Sequence, residues 1–424
     1  MIEVLVMDVF ELLESEVRSY SRNWPAVFDT ARGSRLYDEE GRAFLDFFAG
    51  AGALNYGHNH PHLKNRLLRY LSADSIVHSL DMRTVAKRRF YEAFQRIVLG
   101  PRKLQYKIQL PGPAGTNAVE AALKLARKYT GRQTVVGFTN AFHGMSLGSL
   151  AVTGNAMKRG GAGVHLGHTV TMPYDNYLGR RPSHLPLLER MLEDSGSGLD
   201  WPAAVIVETL QGEGGVHVAG AQWLCDLADL CKRHDLLLIV DDVQMGCGRT
   251  GPFFSFETAG IVPDIVCLSK SLSGYGLPMA LTLLRPELDV WAPGEHNGTF
   301  RGADPAFVTA AAALDFWTGE GLEAQTRAKG ELVRESLDRI AAGHRDVIAE
   351  IRGRGLVWGV AFADPTLSAA VGEAAFERGL LMETSGPEGE VVKLLPPLTS
   401  TADELAEGLE ILADSVDAAC ERMR

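Results

Sequence analysis

The sequence predicts an α/β protein with a large domain, in which a mostly parallel sheet lies between helices, and a small α/β domain. From about residue 105 onward, apolar strand-like runs alternate with amphipathic helical patterns. This alternation is typical of parallel strands joined by crossover helices, because helices on both faces bury the strands. The strand-like runs are 106–110, 134–138, 203–208, 236–241, 264–268 and 279–284, and two of the helical patterns are 117–130 and 221–234.

The N-terminal part shows shorter elements. Residues 8–24 predict one amphipathic helix that ends before Pro25, since a residue before proline disfavours helical backbone. Strand-like segments and turns alternate over residues 25–50, and a glycine-rich loop, residues 49–57, follows them. Residues 61–99 mix basic and apolar residues in a helical pattern.

The C-terminal part predicts the small domain. Residues 304–344 are helical and rich in alanine, and the polar stretch 176–200 before them predicts a surface excursion. The tail contains strands at 354–362 and 390–394 and helices at 366–378 and 401–422. We divide the chain into an N-terminal segment that joins the small domain, a large domain and a C-terminal small domain, at residues 1–60, 61–315 and 316–424.

Composition excludes several classes of protein. The 42 basic and 53 acidic side chains give a net charge of −11, which disfavours nucleic acid or an anionic membrane as a partner. The five cysteines form no CxxC pair, so we expect a reducing compartment and no metal site. The N-terminus has no basic segment typical of a signal peptide, and no apolar run is long enough to span a bilayer. We therefore expect a soluble, cytoplasmic protein.

An acid and a lysine end two strand-like runs. Asp241 closes the run 236–241, and Lys270 follows the run 264–268. Residues just past the carboxyl ends of strands line the ligand crevice of an open α/β sheet. Pyridoxal phosphate needs a lysine for its Schiff base and a carboxylate for its pyridinium nitrogen. Although an isolated Asp is often a cap and an isolated Lys is usually solvated, the pair together predicts a site for this cofactor.

A second segment predicts a phosphate site. Gly115 and Thr116 stand between a Gly/Pro loop and the helical pattern 117–130. Free N–H groups and the helix dipole attract anions there, and glycine permits close approach. A simple cap by Thr116 explains the same residues, so the loop composition alone leaves both interpretations open. No lysine follows the glycine, which excludes a nucleotide P-loop.

Two further strand ends carry candidate residues. Phe142 could stack on a flat heterocycle next to His143, although each residue alone is more often structural. Glu208 ends the run 203–208, and Glu213 lies among glycines in the loop beyond, which suits a movable gate.

A glycine pattern at 246–251 matches GxGxxG after a strand, which raises the alternative of a nicotinamide oxidoreductase. The pattern is followed by Pro252 and aromatic residues and not by an obvious helix, and no acid stands at the expected spacing. We therefore disfavour a dinucleotide site.

Taken together, these motifs resemble those of the class III (ornithine/4-aminobutyrate type) pyridoxal-phosphate-dependent aminotransferases of fold type I. The resemblance extends from about residue 20 over nearly the whole chain. The matching motifs are residues 241–244 with 248–251, 269–270, 142–144, Glu208 with 211–213, and 296–299.

The resemblance implies a role for each residue around the cofactor ring. It implies that Lys270 forms the internal aldimine and moves the proton in the 1,3-shift, and that Asp241 pairs with the pyridinium nitrogen. Gln244 would contact the ring hydroxyl. Val243 and Phe142 would pack on opposite faces of the ring.

The resemblance also implies a shared site. Gly115 and Thr116 would hold the phosphate, and Thr299 would reach it from the neighbouring subunit. His143 and Glu208 complete the expected cofactor-binding set. The active unit would then be a homodimer or a higher homo-oligomer.

The chain departs from the family where substrate carboxylates bind. Many members have an arginine at the position of Met145, and a second arginine at the position of Lys393. In relatives, that second arginine pairs with the acid aligned to Glu213, whereas a lysine offers a point charge without a bidentate fork. Our hypothesis is that Arg301, which replaces a family glycine, takes part in carboxylate recognition, and Glu213 and Lys393 are further candidate substrate residues.

Within the family, four stretches are most similar to the enzymes that make 2,4-diaminobutyrate for ectoine biosynthesis: residues 47–58, 112–120, 268–279 and 294–301. The expected reaction is ping-pong transfer of an amino group from L-glutamate to L-aspartate 4-semialdehyde, giving 2-oxoglutarate and L-2,4-diaminobutyrate. Siderophore and antibiotic pathways need the same product, so the pathway stays open. The alternatives are an ω-aminotransferase for 4-aminobutyrate, ornithine or a polyamine, and a protein of the same fold that only binds.

Overall fold

Seven strands form the central sheet in the computed structural model, which describes residues 8–179, 183–319 and 321–423. In the described residues the strands are β1 Phe28–Arg32, β2 Arg35–Asp38, β3 Ala43–Asp46, β4 Lys107–Gln109, β5 Val135–Phe138, β6 Thr169–Met172, β7 Ala204–Val207, β8 Leu210–Gln211, β9 His217–Val218, β10 Leu237–Asp241, β11 Ile265–Leu268, β12 Leu281–Leu284, β13 Ile348–Arg354, β14 Val357–Phe362, β15 Leu380–Leu381, β16 Glu383–Ser385 and β17 Val391–Leu394.

The α-helices in the same parts of the chain are α1 Val9–Leu13, α2 Tyr20–Asn23, α3 Ala49–Gly52, α4 Pro61–Leu71, α5 Val85–Phe94, α6 Gly115–Thr130, α7 Leu147–Ala151, α8 Ala156–Gly160, α9 Leu185–Glu193, α10 Ala221–Arg233, α11 Asp304–Ala313, α12 Gly321–Gly343, α13 Pro365–Glu377 and α14 Ala402–Arg422. None of these described helices is both long and apolar enough to cross a membrane.

The central sheet has the order β4-β12-β11-β10-β7-β5-β6, and β12 alone runs against the other strands. The strands β5, β7, β10, β11 and β12 are buried along their whole length. Alternate residues of each strand face two different apolar clusters, one containing α6 and the other α10. The prediction of a mostly parallel sheet between helices is therefore confirmed.

Two four-stranded sheets lie outside the central sheet. One has the order β1-β2-β3-β15, and the other has the order β13-β14-β17-β16. The parallel pair of β3 and β15 joins Leu45 to Leu380, so strands from both ends of the chain share one sheet. The domain boundaries at residues 60 and 315 stay a prediction.

Several element predictions were wrong in detail. Residues 8–24 form two short helices, because the backbone is extended at Glu14 and the Arg18 side chain donates to the Phe10 carbonyl across 2.8 Å. The predicted surface excursion 176–200 contains the helix α9, which has proline in its first turn, where the missing N–H costs nothing.

Two long predicted elements are interrupted. The helical stretch 304–344 is broken after Trp317, and Gly319 in the break has a φ of 129° that a non-glycine residue rarely adopts. The predicted strand 354–362 is the second arm of a hairpin, with Gly355 in the left-handed conformation at the turn between β13 and β14. The strand β6, at one edge of the central sheet, had no strand prediction.

Candidate active site

The carboxyl ends of four central strands, β5, β7, β10 and β11, surround one cavity. Asp241 is the last residue of β10, Lys270 follows β11 in a 3₁₀ turn, and Glu208 follows β7. The cavity has a volume of about 270 Å³. It is lined by Ala114, Gly115, Thr116, Phe142, His143, Gly144, Met145, Glu208, Glu213, Asp241, Val243, Gln244, Met245 and Lys270. The structure thus brings together all of the predicted cofactor residues except Thr299.

Asp241 is fixed by two hydrogen bonds. His143 Nδ1 donates to Asp241 Oδ2 across 2.7 Å, and the backbone N–H of Val243 donates to Oδ1 across 3.1 Å. Both side chains of the His–Asp pair are buried. Burial opposes protonation of His143, but the bond to the Asp241 carboxylate outweighs it and raises the pKa of the imidazole. The pair therefore holds a carboxylate oriented at the floor of the cavity.

Lys270 is the buried amine of the site. Its Nζ donates to the Ala51 carbonyl across 3.0 Å, and Gln244 Nε2 donates to the same oxygen, also across 3.0 Å. Ala51 lies in the glycine-rich loop, where its φ is 55°. Burial lowers the pKa of Lys270, while nearby Glu213 opposes this shift. A lowered pKa favours the neutral amine, which is the nucleophilic form.

Glu208 is buried beside the aromatic side chain. Its Oε1 accepts a hydrogen bond from the Phe142 backbone N–H across 2.9 Å, which fixes the loop that carries Phe142. Burial raises the pKa of Glu208 to about 7. The Phe142 ring has Lys158 Nζ 4.2 Å from its centroid, within the range of a cation–π contact.

Gly115 and Thr116 form a close-packed start to α6. A Cβ on Gly115 would lie 2.7 Å from Val243 Cγ1, and a Cβ on Gly144 would lie 2.4 Å from Thr116 Oγ1. Thr116 Oγ1 also lies 2.7 Å from Ser149 Oγ. The first N–H groups of a helix have no intrahelical acceptor. The first turn of this 16-residue helix could therefore hold an anion.

The residues present fit pyridoxal phosphate. Two buried polar atoms of the cavity, His143 Nε2 and Gln244 Oε1, have no hydrogen-bond partner within the described protein. A flat ring bearing a phosphate, a hydroxyl and a basic nitrogen needs an anion site, a polar contact, a carboxylate and an amine. The anion site at α6, Gln244, Asp241 and Lys270 supply these.

A buried ionic cluster lies behind Glu213. Lys393 Nζ is 2.7 Å from Glu213 Oε1 and 3.0 Å from Glu383 Oε1, and Tyr20 OH donates to Glu383 Oε2 across 2.9 Å. Sequence reasoning missed Tyr20 and Glu383, because neither belongs to a recognisable motif. Their proximity arises only when α2 and β16 pack together near β17.

Two predicted residues lie away from the cavity of this chain. Thr299 is exposed, and its carbonyl accepts from His78 Nε2 across 2.8 Å. Arg301 Nη2 is 3.0 Å from Asp81 Oδ2, and its Nη1 donates to the Gly298 carbonyl. The hypothesis that Arg301 binds a substrate carboxylate gains no support from this arrangement, and it stays a prediction.

Residues 17–416 match the family Aminotransferase class-III. The chain is a class III aminotransferase. The family covers the central sheet, the cavity and the C-terminal strands, so the elements around the cavity belong to the shared fold.

Known aminotransferases support this membership over nearly full length. The chain is 64% identical to the diaminobutyrate–2-oxoglutarate transaminase of Streptomyces coelicolor, covering 97% of each chain. It is 55% identical to the protein of the same name from Virgibacillus pantothenticus, covering 97% of this chain and 99% of the other. Among solved structures, the ornithine aminotransferase of Toxoplasma gondii superposes with a TM-score of 0.84 at 28% identity, covering 98% of this chain and 94% of the other.

Proposed function

We propose that this class III aminotransferase catalyses pyridoxal-phosphate-dependent ω-transamination. L-Glutamate would donate the amino group and leave as 2-oxoglutarate, and L-aspartate 4-semialdehyde would accept it and become L-2,4-diaminobutyrate. The observation that carries the proposal is the 64% identity, over 97% of both chains, to a diaminobutyrate–2-oxoglutarate transaminase. The cavity with Lys270 and Asp241 supports the reaction type.

Each buried residue of the cavity has a separate role in the proposed reaction. When bound, pyridoxal phosphate supplies a carbonyl carbon and an electron-withdrawing ring. Asp241 keeps a proton on the ring nitrogen, and His143 keeps the carboxylate in position by its 2.7 Å hydrogen bond. Lys270 Nζ, with its lowered pKa, accepts and returns the proton at the substrate carbon. Phe142 and Val243 line the cavity, and they would cover the faces of the bound ring and limit access of water.

The proposal includes a second subunit. Thr299 stands in an exposed turn whose backbone is tied to His78, and we propose that this turn completes the phosphate site of a partner in a homodimer or larger homo-oligomer. A cytoplasmic location also belongs to the proposal. Cys225, Cys231, Cys247 and Cys267 support it, since each of them is a free thiol.

Product analysis of the purified, cofactor-loaded protein tests the function. We expect L-glutamate and L-aspartate 4-semialdehyde to give 2,4-diaminobutyrate and 2-oxoglutarate in equal amounts over many turnovers. If 2-oxoglutarate forms only in proportion to the enzyme, the acceptor is wrong. If neither product forms while the cofactor stays bound, the donor is wrong as well, and a screen of ω-amines is the next step.

A further inference from the structure

The ionic cluster at Lys393 contains one ammonium group and two carboxyl groups. Lys393 is fully buried and lies within 3.0 Å of two carboxylates, those of Glu213 and Glu383. Glu383 is 3% exposed and is held on its other oxygen by Tyr20. Burial raises the pKa of Glu383, whereas Glu213 beside the Lys393 ammonium stays ionised. With both partners in place, Lys393 stabilises the cluster from behind and presents no ammonium to the cavity.

Glu213 is the member of this cluster that faces the cavity. Its Oε1 receives hydrogen bonds from Lys393 Nζ across 2.7 Å and from Gln244 Nε2 across 2.9 Å. Within the described residues, Oε2 receives no hydrogen bond, and the side chain is 21% exposed. Burial works against ionisation, but the Lys393 ammonium group outweighs it and holds the pKa of Glu213 below its usual range. Glu213 therefore offers a charged oxygen to a ligand.

Among the described lining residues, the wall beyond the cofactor site carries no basic side chain, and the Lys158 ammonium lies outside the lining, over the Phe142 ring. Among the described lining residues, Lys270 and His143 are the basic side chains, and both belong to the cofactor site. Met145, which is 54% exposed, and Met245 add thioether surface to the same cavity as Glu213. An anion beside apolar surface favours an ammonium group over a carboxylate.

We propose that Glu213 binds the α-ammonium group of the amino-acid substrate and so selects an ω-amine that carries a second amine at its far end. This inference rests on the proposed function. Both L-aspartate 4-semialdehyde and L-2,4-diaminobutyrate carry this α-ammonium, whereas 4-aminobutyrate is the same carbon chain without it. Glu213 would therefore discriminate between two substrates that differ by one amino group.

The two half-reactions should respond to Glu213 in opposite ways. Glutamate reacts through its α-amine and presents a carboxylate at its far end, which a negative cavity wall repels. Loss of the negative charge should weaken binding of the diamine and relieve this repulsion. A defect in folding or in cofactor position would instead slow every substrate alike.

The test compares Glu213→Gln with Glu383→Gln as a matched control, because the control removes a carboxylate of the same cluster and keeps the oxygen that faces the cavity. Single-turnover absorbance changes of the cofactor-loaded enzyme give kcat/KM for 2,4-diaminobutyrate, 4-aminobutyrate and glutamate. For Glu213→Gln we expect the preference for 2,4-diaminobutyrate over 4-aminobutyrate to fall by about tenfold or more, with glutamate unchanged or faster. For Glu383→Gln we expect the ratio to stay close to that of the native chain.

Equal losses for all three substrates in Glu213→Gln would overturn the inference, as would a loss confined to glutamate. If the native chain converts glutamate but not 2,4-diaminobutyrate, the proposed function fails and the inference falls with it. An equilibrium readout keeps the test decisive where the variant turns over poorly. In a Lys270→Ala background, the affinity for 2,4-diaminobutyrate should fall by about tenfold when Glu213 is replaced, and the affinity for 4-aminobutyrate should not.

Discussion

Arg249 Nη2 donates to Asn55 Oδ1 across 2.5 Å, and this bond joins two segments that are far apart in the chain. The same guanidinium donates through Nη1 to the carbonyls of Leu356 and Pro396. Arg249 is completely buried, and burial lowers its pKa to about 9, so it stays charged near neutral pH. One cation thus holds together the loop after β3, the turn before β14 and the segment after β17.

Replacing Arg249 should therefore destabilise the fold. In Arg249→Met, Asn55 Oδ1 and two carbonyls lose a buried donor, so we expect the free energy of unfolding to fall by about 3 kcal/mol or more. Chemical denaturation of the cofactor-free protein measures this change. The control is Arg334→Met on the exposed face of α12, which should change stability by about 0.5 kcal/mol or less. Similar losses in the two variants would contradict the prediction.

The packing of Gly115 against Val243 predicts a double-mutant effect. In Gly115→Ala the new Cβ would lie 2.7 Å from Val243 Cγ1, so the start of α6 or Val243 must move. We expect the affinity for pyridoxal phosphate to fall on the order of tenfold, because both segments line the cofactor site. Adding Val243→Ala removes the clash and should restore part of the affinity. A double variant that binds no better than Gly115→Ala would exclude this steric cause.

Titration of the buried Glu208 carboxyl should make the stability of the fold depend on pH. Its folded pKa of about 7 lies above the ordinary value of 4.5, because burial favours the protonated carboxyl. Because the pKa of Glu208 is higher in the folded state than in the unfolded state, its protonated carboxyl stabilises the fold fully below the unfolded pKa. This stabilisation is lost as the pH rises through the folded pKa. Between about pH 4 and about pH 8, the free energy of unfolding of the native chain should thus fall by about 3 kcal/mol relative to that of Glu208→Gln. The glutamine is a suitable reference because it keeps an acceptor for the Phe142 N–H. Unfolding of both proteins without cofactor measures the difference, and parallel curves would show that Glu208 does not titrate in this range.

The His143–Asp241 pair predicts a graded loss of activity. Asp241→Asn removes the carboxylate that faces the cofactor ring, and we expect turnover to fall by about 10²-fold or more. His143→Gln keeps the carboxylate and loses only its fixed orientation, so a smaller loss of about tenfold is expected. Cofactor absorbance should change in the first variant and stay nearly native in the second. An equal or larger defect in His143→Gln would mean that the histidine has a direct role.

Local sequence patterns brought the candidate cofactor residues together more readily than the candidate substrate residues, for a physical reason. Asp241 and Lys270 end apolar strands, and parallel strands bring their carboxyl ends to one edge, so local patterns place these residues together. Glu383 and Tyr20 surround Lys393 only through long-range packing, and no local pattern encodes such contacts. Arg301 illustrates the same limit, since its ion pair with Asp81 depends on where two distant loops meet.

Predicted helix boundaries were wrong where side chains compete for the hydrogen bonds of the helix backbone. The predicted helix 8–24 contains Ser15 and Ser19, which stabilise helix ends better than helix interiors, and the observed chain breaks between them. The long pattern 304–344 concealed a break at Gly319, because alanine-rich segments on both sides keep the helical period. Element type was therefore predictable from periodicity, whereas interruptions depended on single residues.

The pairing of β3 with β15 has a consequence for synthesis on the ribosome. Phe47 N–H donates to the Leu381 carbonyl, and Leu395 N–H donates to the Phe47 carbonyl, just before the loop whose Ala51 carbonyl holds Lys270. A nascent chain carries β3 almost from the start, but its partner strand emerges only near the end of translation. The first strands therefore stay without this partner, and accessible to chaperones and proteases, until β15 has been synthesised. Chains released early should then lack an ordered loop beside Lys270, so premature termination yields inactive protein and not a partly active fragment.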